Sequence, residues 1–315
     1  MWFKGNIHTH TNQSDGDSEP ESVVRWYRRN GYDFLVLTDH NHLTLLDYQS
    51  KKRRFRRPLM IPGEELSVRI SNGETAIHLG GIGITRLVEP IDAGDVVSTL
   101  QANIDAVRRA GGIASINHPN YTWAFDDRHI VQVTGASLLE IFNGNPWTNT
   151  YGGAGHPSFE EIWDRVLSAG RPIFGVAVDD SHHFKGDFKP DMANPGRGWV
   201  MVEAPSLEPE AIVQALEKGD FYSSTGVVLE DLEISHQGIY LRVKAEWFPH
   251  YEIAFIGKSG SVLSREYGPE ARYELRGDEG YVRAEVRSSD GGKAWTQPVF
   301  TGPQPPGPGP ASPAY

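Results

Sequence analysis

No cysteine occurs anywhere in the 315 residues. Disulfides, thiolate nucleophiles and sulfur-ligated zinc sites are excluded together, so any metal must be held by imidazole and oxygen. Positive charge is also in short supply: 30 Lys and Arg face 41 Asp and Glu, a formal net charge of −11. That balance argues against bulk binding to nucleic acid or to an anionic membrane. It still allows an anionic small substrate, because metal ions make an acidic pocket locally positive. No apolar run approaches the ~20 residues of a membrane span. Met1 stands seven residues before the first candidate ligand, so no leader is expected and the expected location is cytoplasmic.

What is present suits one barrel-sized domain and a smaller one, at 38% hydrophobic and 23% charged residues. Strand and helix signals alternate through the first two-thirds. Trp2 to His8 reads as a strand, and Ser18-Glu19-Pro20-Glu21 has the form of a capping box opening a helix through Val23, Val24 and Tyr27. DFLVLT (33–38), LMIP (59–62), TAIHLGGIGI (75–84), IASIN (113–117), SLLEIF (137–142), PIFGVAV (172–178) and GWVMVEA (198–204) read as strands. Helices are expected over 94–110, 158–170 and 209–219, each followed or closed by Gly. These units predict an α/β fold, a TIM-like barrel over residues 1–223. From Ser224 the helical period vanishes, and seven short alternating stretches predict a small antiparallel β-sandwich over 224–301. The Pro- and Gly-rich stretch 302–315 is expected to be a disordered tail.

Six of the twelve histidines, two aspartates and one glutamate fall where these apolar runs end. They are His8 and His10, Asp15, His40, Glu65, His78, His118, and Asp180 with His182. A β/α barrel assembles one site from the ends of distant strands in this way. Residues two apart in a strand face the same way, which pairs His8 with His10 and Asp180 with His182. Glu65 can bridge two cations, but Glu64 competes for that role and alternation does not choose between them. Nine imidazoles and carboxylates exceed the needs of one ion with three protein ligands, so two or three divalent ions are expected, with zinc, manganese and ferrous iron all compatible. His129, His156, His236 and His250 are read as structural or surface residues.

His8-x-His10, Ser14-Asp15-Gly16, Thr38-Asp39-His40, Gly63-x-Glu65, His78, His118-Pro119 and Asp180-x-His182 together resemble the PHP (polymerase and histidinol phosphatase) superfamily. The wording of KGNIHTHTNQSDGD, VLTDHNHLT and PGEE, with FYSSTGV and AWTQPVF, is similar to its carbaryl-hydrolase-like branch. The resemblance implies a distorted (β/α)7 barrel with a trinuclear centre. By position it gives His8, His10, Glu65 and Asp180 to the first ion. Glu65, His78 and His118 go to the second, and Asp15, His40 and His182 to the third. It favours Glu65 over Glu64, since Glu65 stands two after Gly63. Superfamily activity is mainly hydrolysis of phosphomonoesters and phosphodiesters; the branch adds carbamate or ester hydrolysis.

The expected function is therefore a metal-dependent phosphoesterase using a metal-bound hydroxide on a small phosphate ester, with a carboxylester, carbamate or amide hydrolase as the alternative. Asp39 and Asp179 are expected to orient neighbouring imidazoles, and Asn41, His42 and His183 to support ligands or donate a proton to the leaving group. Arg54, within the basic run Lys51–Arg57, could clamp a phosphate. Arg197 precedes a strand, which would place it on the opposite rim unless the barrel is irregular. Trp123 and Trp147 could wall a pocket. The oligomeric state and the role of the β region are not legible.

Overall fold

A computed structural model describes residues 1–46 and 58–302. Arg54 with its basic run, and all but the first residue of the expected tail, lie outside the described residues. The element order is β1 (Trp2–Asn6), α1 (Pro20–Arg29), β2 (Phe34–Val36), β3 (Leu59–Ile61), β4 (Gly63–Ile70), β5 (Thr75–Ile82), α2 (Val96–Arg109), β6 (Ile113–Ile116), α3 (Asp127–Ile130), β7 (Ala136–Asn143), α4 (Phe159–Ser168), β8 (Phe174–Val178), β9 (Trp199–Glu203), α5 (Pro209–Lys218) and β10 (Phe221–Ser224). The C-terminal part adds β11 (Leu229–Ser235), β12 (Gly238–Val243), β13 (Tyr251–Gly257), β14 (Ser261–Tyr267), β15 (Glu270–Glu274), β16 (Tyr281–Ser288), β17 (Lys293–Thr296) and β18 (Val299–Phe300).

This is a mixed α/β fold whose sheets are not closed. One five-stranded sheet runs β4-β5-β6-β7-β8. A ten-stranded sheet runs β14-β13-β16-β17-β10-β9-β1-β2-β3, with β18 attached to β16. A regular run of parallel βα units was expected, and two features depart from it. GEELSVRI, to which the sequence reading assigns no element, is strand β4, which pairs antiparallel with β5 from Gly63↔Ile82 to Ile70↔Thr75. β9 pairs antiparallel with both β1 and β10. The two sheets meet through single parallel bridges, His40↔Glu65 and Thr9↔Ser181.

Both sheets share one apolar interior. Phe3, Phe34, Val36 and Ile61 from one side meet Ile82, Ile113, Leu138, Val176 and Val178 from the other, and Ile212 and Leu216 of α5 pack into the same cluster. Gly5 allows the closest approach there, because a Cβ at that position would run into the Phe34 ring. On the outer face of the five-stranded sheet, Leu100, Ile104 and Val107 of α2 and Phe159, Trp163 and Val166 of α4 form a second core.

The helix ends follow local chemistry. Ser158 and Glu161 form the reciprocal capping box of α4, and Asp95 caps α2 by accepting from the Ser98 amide. The box expected at Ser18 is absent: Ser18 donates instead to Asp17 Oδ1, and α1 begins at Pro20 with no side-chain cap. In the C-terminal part, Leu229, Ile239 and Leu241 of the three-stranded sheet β11-β12-β15 pack on Ile253, Phe255, Ala284 and Val286 of the large sheet. Because β10 pairs with both β9 and β17, hydrogen bonding runs without interruption from β1 into this region.

Candidate metal centre

β1, β6 and β8 bury their apolar residues in the shared core and then release a polar turn at their C-terminal ends. His8 lies one residue past Ile7 of that core, His118 two past β6, and Asp180 two past Val178. The nine residues singled out in the sequence converge here. They fall into four overlapping groups whose donor atoms lie within 4.8 Å of one another: His10, Asp15, His40, His182; His8, Glu65, His118; His8, His10, Asp180; and His40, Glu65, His78.

Glu65 is the hub. Its Oε1 lies 3.2 Å from His8 Nε2, 3.1 Å from His118 Nε2 and 3.5 Å from His78 Nδ1. Its Oε2 lies 2.9 Å from His40 Nδ1, yet makes no hydrogen bond. Glu64 projects away from this cluster. It accepts from the Val88 amide, and burial raises its carboxyl to about 7. Asp180 Oδ1 sits 3.3 Å from His8 Nε2 and 3.2 Å from His10 Nε2. Asp15 joins His40 (3.5 Å) to His182 (3.3 Å). His8 and His10 converge as strand neighbours should. Asp180 and His182 converge by another route, since Asp180 has a left-handed backbone (φ 46°) and ends the strand in a turn.

The electrostatics fit a cation site. Burial raises the Glu65 carboxyl, but His8, His78 and His40 outweigh it and hold it well below the usual carboxylate range. At Asp180, burial is likewise overcome by His8, His10, His182 and His118, so this carboxyl too is strongly depressed. Among the imidazoles, burial and then His182 push His10 down to about 4. Burial also opposes charge on His40, where Glu65 and Asp15 prevail and raise it to about 10. The Nδ1 of His78, like Oε2 of Glu65, is buried without a hydrogen bond. Buried polar atoms are normally paired, and a cation shared by these lone pairs would satisfy them. The residues present therefore fit divalent ions bound by nitrogen and oxygen.

Several groups that sequence reading passed over hold this arrangement. Glu140 is fully buried in β7. Its Oε1 lies 2.6 Å from His8 Nδ1, and its Oε2 accepts from the His118 amide at 2.8 Å and from Asn143 Nδ2 at 2.9 Å. Asn143 and Asn145 also donate to Asp180 Oδ2, Asn117 donates to Glu65 Oε1, and Ser67 Oγ lies 2.6 Å from His40 Nδ1. The one available signal was the lone carboxylate inside the apolar run SLLEIF.

The expected supporting residues are placed as follows. Asp39 does not orient an imidazole; it accepts from the Thr11 amide and hydroxyl, Ser14 and Thr44, and so fixes the turn that carries Asp15. Asp179 likewise touches no imidazole and accepts from Tyr27 and from the Arg197 and Gly198 amides. Asn41 pairs with the Ser67 backbone. His42 is exposed, while His183 keeps a buried Nδ1 without a hydrogen bond.

Arg197 lies beside the Asp179 turn and not on the opposite rim, because β9 runs antiparallel to β1 and so begins where β1 ends. Its guanidinium donates to the carbonyls of Gly144 and Lys189. Trp123 stacks on His156 at 4.2 Å, and Tyr121, two residues earlier, packs 5.4 Å from the His118 ring.

The fold and the donor set define a mixed α/β protein with an imidazole–carboxylate cluster that fits divalent cations. No protein-family model matches the chain, and no curated protein matches it in sequence. Among solved structures, a two-domain protein from Bacteroides vulgatus containing a predicted PHP-like metal-dependent phosphoesterase is similar over 95% of this chain and 95% of its own, with 16% identity and a TM-score of 0.50. That likeness is one of fold. An amidohydrolase from Chromobacterium violaceum, with bound sulfate and no metal, is similar over 60% of this chain and 93% of its own, at 17% identity and a TM-score of 0.42. Among the described residues, no helix is long and apolar enough to cross a membrane.

Proposed function

We propose that this chain is a metal-dependent hydrolase of the PHP type acting on small phosphate esters. The observation that carries the reading is the convergence of nine imidazole and carboxylate residues, among them the buried carboxylate of Glu65 with His8, His40, His78 and His118 around it. In this reading the two sheets are the walls of a distorted barrel, and the three sets of ligands implied by the family resemblance would hold up to three ions, two of those sets sharing Glu65. Zinc, manganese or ferrous iron bound there would lower the pKa of a water and polarise a phosphoryl oxygen.

The chain's own residues do the rest. Glu65 is shared between neighbouring subsites, Asp180 and Asp15 hold their imidazoles in fixed relation, and Glu140 sets the His8 ring so that Nε2 faces inward. His42 and His183 lie within two residues of the clustered His40 and His182 in the chain and are assigned to protonating the leaving oxygen. Tyr121, packed against the His78 and His118 rings, and the neighbouring Trp123 are assigned to walling the substrate. Arg197 ties the 144 and 189 segments together.

The test is metal analysis of the purified protein together with a panel of p-nitrophenyl phosphate, bis-p-nitrophenyl phosphate and an aryl carbamate. Phosphate-ester turnover that is lost with chelator and restored by Mn²⁺ or Zn²⁺ is the expected result. Turnover of the carbamate alone would transfer the same centre to carbonyl substrates. Full activity in His8→Ala would remove the centre from the chemistry altogether.

A further inference from the structure

Strand β8 carries the Asp179–His182 turn, yet it is the terminal strand of its sheet. Its free edge should expose a row of unpaired amides. Among the described residues, no strand covers that edge along Gly175–Val178. Three side chains do so in its place, at every second residue. Gly175 N donates to Gln297 Oε1 (2.8 Å), Ala177 N to Ser223 Oγ (3.1 Å) and Asp179 N to Asn6 Oδ1 (3.2 Å). The Gly175 carbonyl accepts from both Ser223 Oγ (2.8 Å) and Gln297 Nε2 (2.9 Å). All three side chains are at most 2% exposed. Only beyond Asp179 does backbone pairing begin, with Asp180 N donating to His8 O and His10 N to Ser181 O, each at 2.9 Å.

We propose that Gln297 and Ser223 are positioning residues for the metal centre, contributed by β10 and by the segment that follows β17. Together with Asn6 they replace the missing strand, fix how far β8 extends along β1, and so hold Asp180 in its left-handed turn against His8 and His10. The periods agree: amides two apart on β8 face the seam, and each meets one acceptor. A buried amide without an acceptor is costly, so the register that satisfies all three is strongly selected. A shift of one residue along β1 would move Asp180 by about 3.3 Å, as much as its whole separation from the two imidazoles, 3.3 Å to His8 and 3.2 Å to His10. This gives the C-terminal β region a role in building the site. It also accounts for the two motifs, FYSS and AWTQ, that hold Ser223 and Gln297.

The test uses the full chain with Ser223→Ala, Gln297→Glu and, as a control for general destabilisation, Leu241→Ala in the core of the three-stranded sheet. Gln297→Glu keeps an acceptor for Gly175 N–H and sets an oxygen against the Gly175 carbonyl. Two readouts are taken well below the melting temperature: hydrogen exchange over 174–182, and divalent-metal affinity by competition with a chelator using Mn²⁺ or Zn²⁺. Both seam variants are expected to speed exchange in that segment at least about tenfold and to weaken metal binding roughly tenfold. The control should lower the melting temperature and leave both readouts unchanged.

Unchanged exchange in the seam variants overturns the proposal, and so does faster exchange with wild-type metal affinity. Should Gln297→Glu fail to fold, Ser223→Ala alone decides by the same criteria. The metal arm rests on the function proposed above. A wild-type protein that takes up no divalent ion would refute that function, and the exchange arm would then decide whether the seam holds the turn.

Discussion

Glu140→Gln is the sharpest test of how the centre is held. Glu140 belongs to none of the four candidate ligand groups, but its two oxygens receive three donors: His8 Nδ1 at 2.6 Å, the His118 amide at 2.8 Å and Asn143 Nδ2 at 2.9 Å. A glutamine keeps the shape and one acceptor oxygen, and sets an NH2 group against the donors on the other side. Whichever way the amide turns, at least one bond to a buried group is lost. Such bonds to a charged partner contribute about 1.5–3 kcal/mol. If the His8 side is lost, the ring no longer has Nδ1–H pinned, and its Nε2 lone pair is no longer directed at Glu65 and Asp180. The expected result is metal affinity weakened roughly ten- to a hundredfold, with secondary structure retained. Chelator competition with Mn²⁺ or Zn²⁺ at fixed pH measures it, and melting of the metal-free proteins controls for folding. Affinity within twofold of wild type would refute the reasoning, because it would mean that the His8 orientation is set elsewhere.

Three further outcomes follow from the packing and the charges. Gly5→Ala should destabilise the protein by about 1–3 kcal/mol, since the new methyl meets the Phe34 ring in the shared core; a denaturant melt indistinguishable from wild type would contradict that placement. Arg283 is fully buried and forms a bidentate pair with Asp164 at 2.8 Å on both oxygens, joining β16 to α4, so Asp164→Ala should cost about 3–5 kcal/mol. Replacing both partners with apolar residues should recover much of that loss, and the double-mutant cycle reads the difference. At Glu285, burial raises the carboxyl, but Arg287, Lys293 and Arg283 outweigh it and leave it below the ordinary value of 4.5. A carboxyl depressed on folding stabilises the fold above its unfolded value, and that contribution disappears as pH falls through the folded value. Glu285→Gln should therefore flatten the acid limb of the stability curve below about pH 4.5, and an unaltered limb from pH 5 to pH 3 would exclude this role.

The reach of the sequence differed from one feature to the next for identifiable reasons. Strands such as β2, β6 and β8 are short, continuous apolar runs, and such runs read as buried strands wherever they sit in the fold. β4 escaped because GEELSVRI carries two adjacent carboxylates and an arginine; its strand conformation comes from hairpin pairing with β5 across residues 71–74, not from an apolar pattern of its own. The direction of β9 was equally hidden, and with it the side of the molecule on which Arg197 lies. Ser18 had the spacing of a capping box but found a nearer acceptor in Asp17.

Which residue types could gather a metal was settled by the chain alone. Without cysteine, the ligands had to be imidazole and carboxylate, and their positions at the ends of apolar runs follow from the chemistry of strands. Strand alternation left open which of two adjacent glutamates faces the cluster; the family resemblance pointed to Glu65, and the tertiary structure supplies the physical reason, since the choice depends on which side of β4 meets the shared interior. Only the tertiary structure decided that Glu140, Asn143 and Asn117 brace the clustered imidazoles and carboxylates. Nothing in those residues differs from any other buried polar group until distant strands bring their partners within hydrogen-bonding distance. The same holds for Gln297 and Ser223. Their partners are backbone amides of β8, and which amides a fold leaves unpaired is a property of how its sheets end.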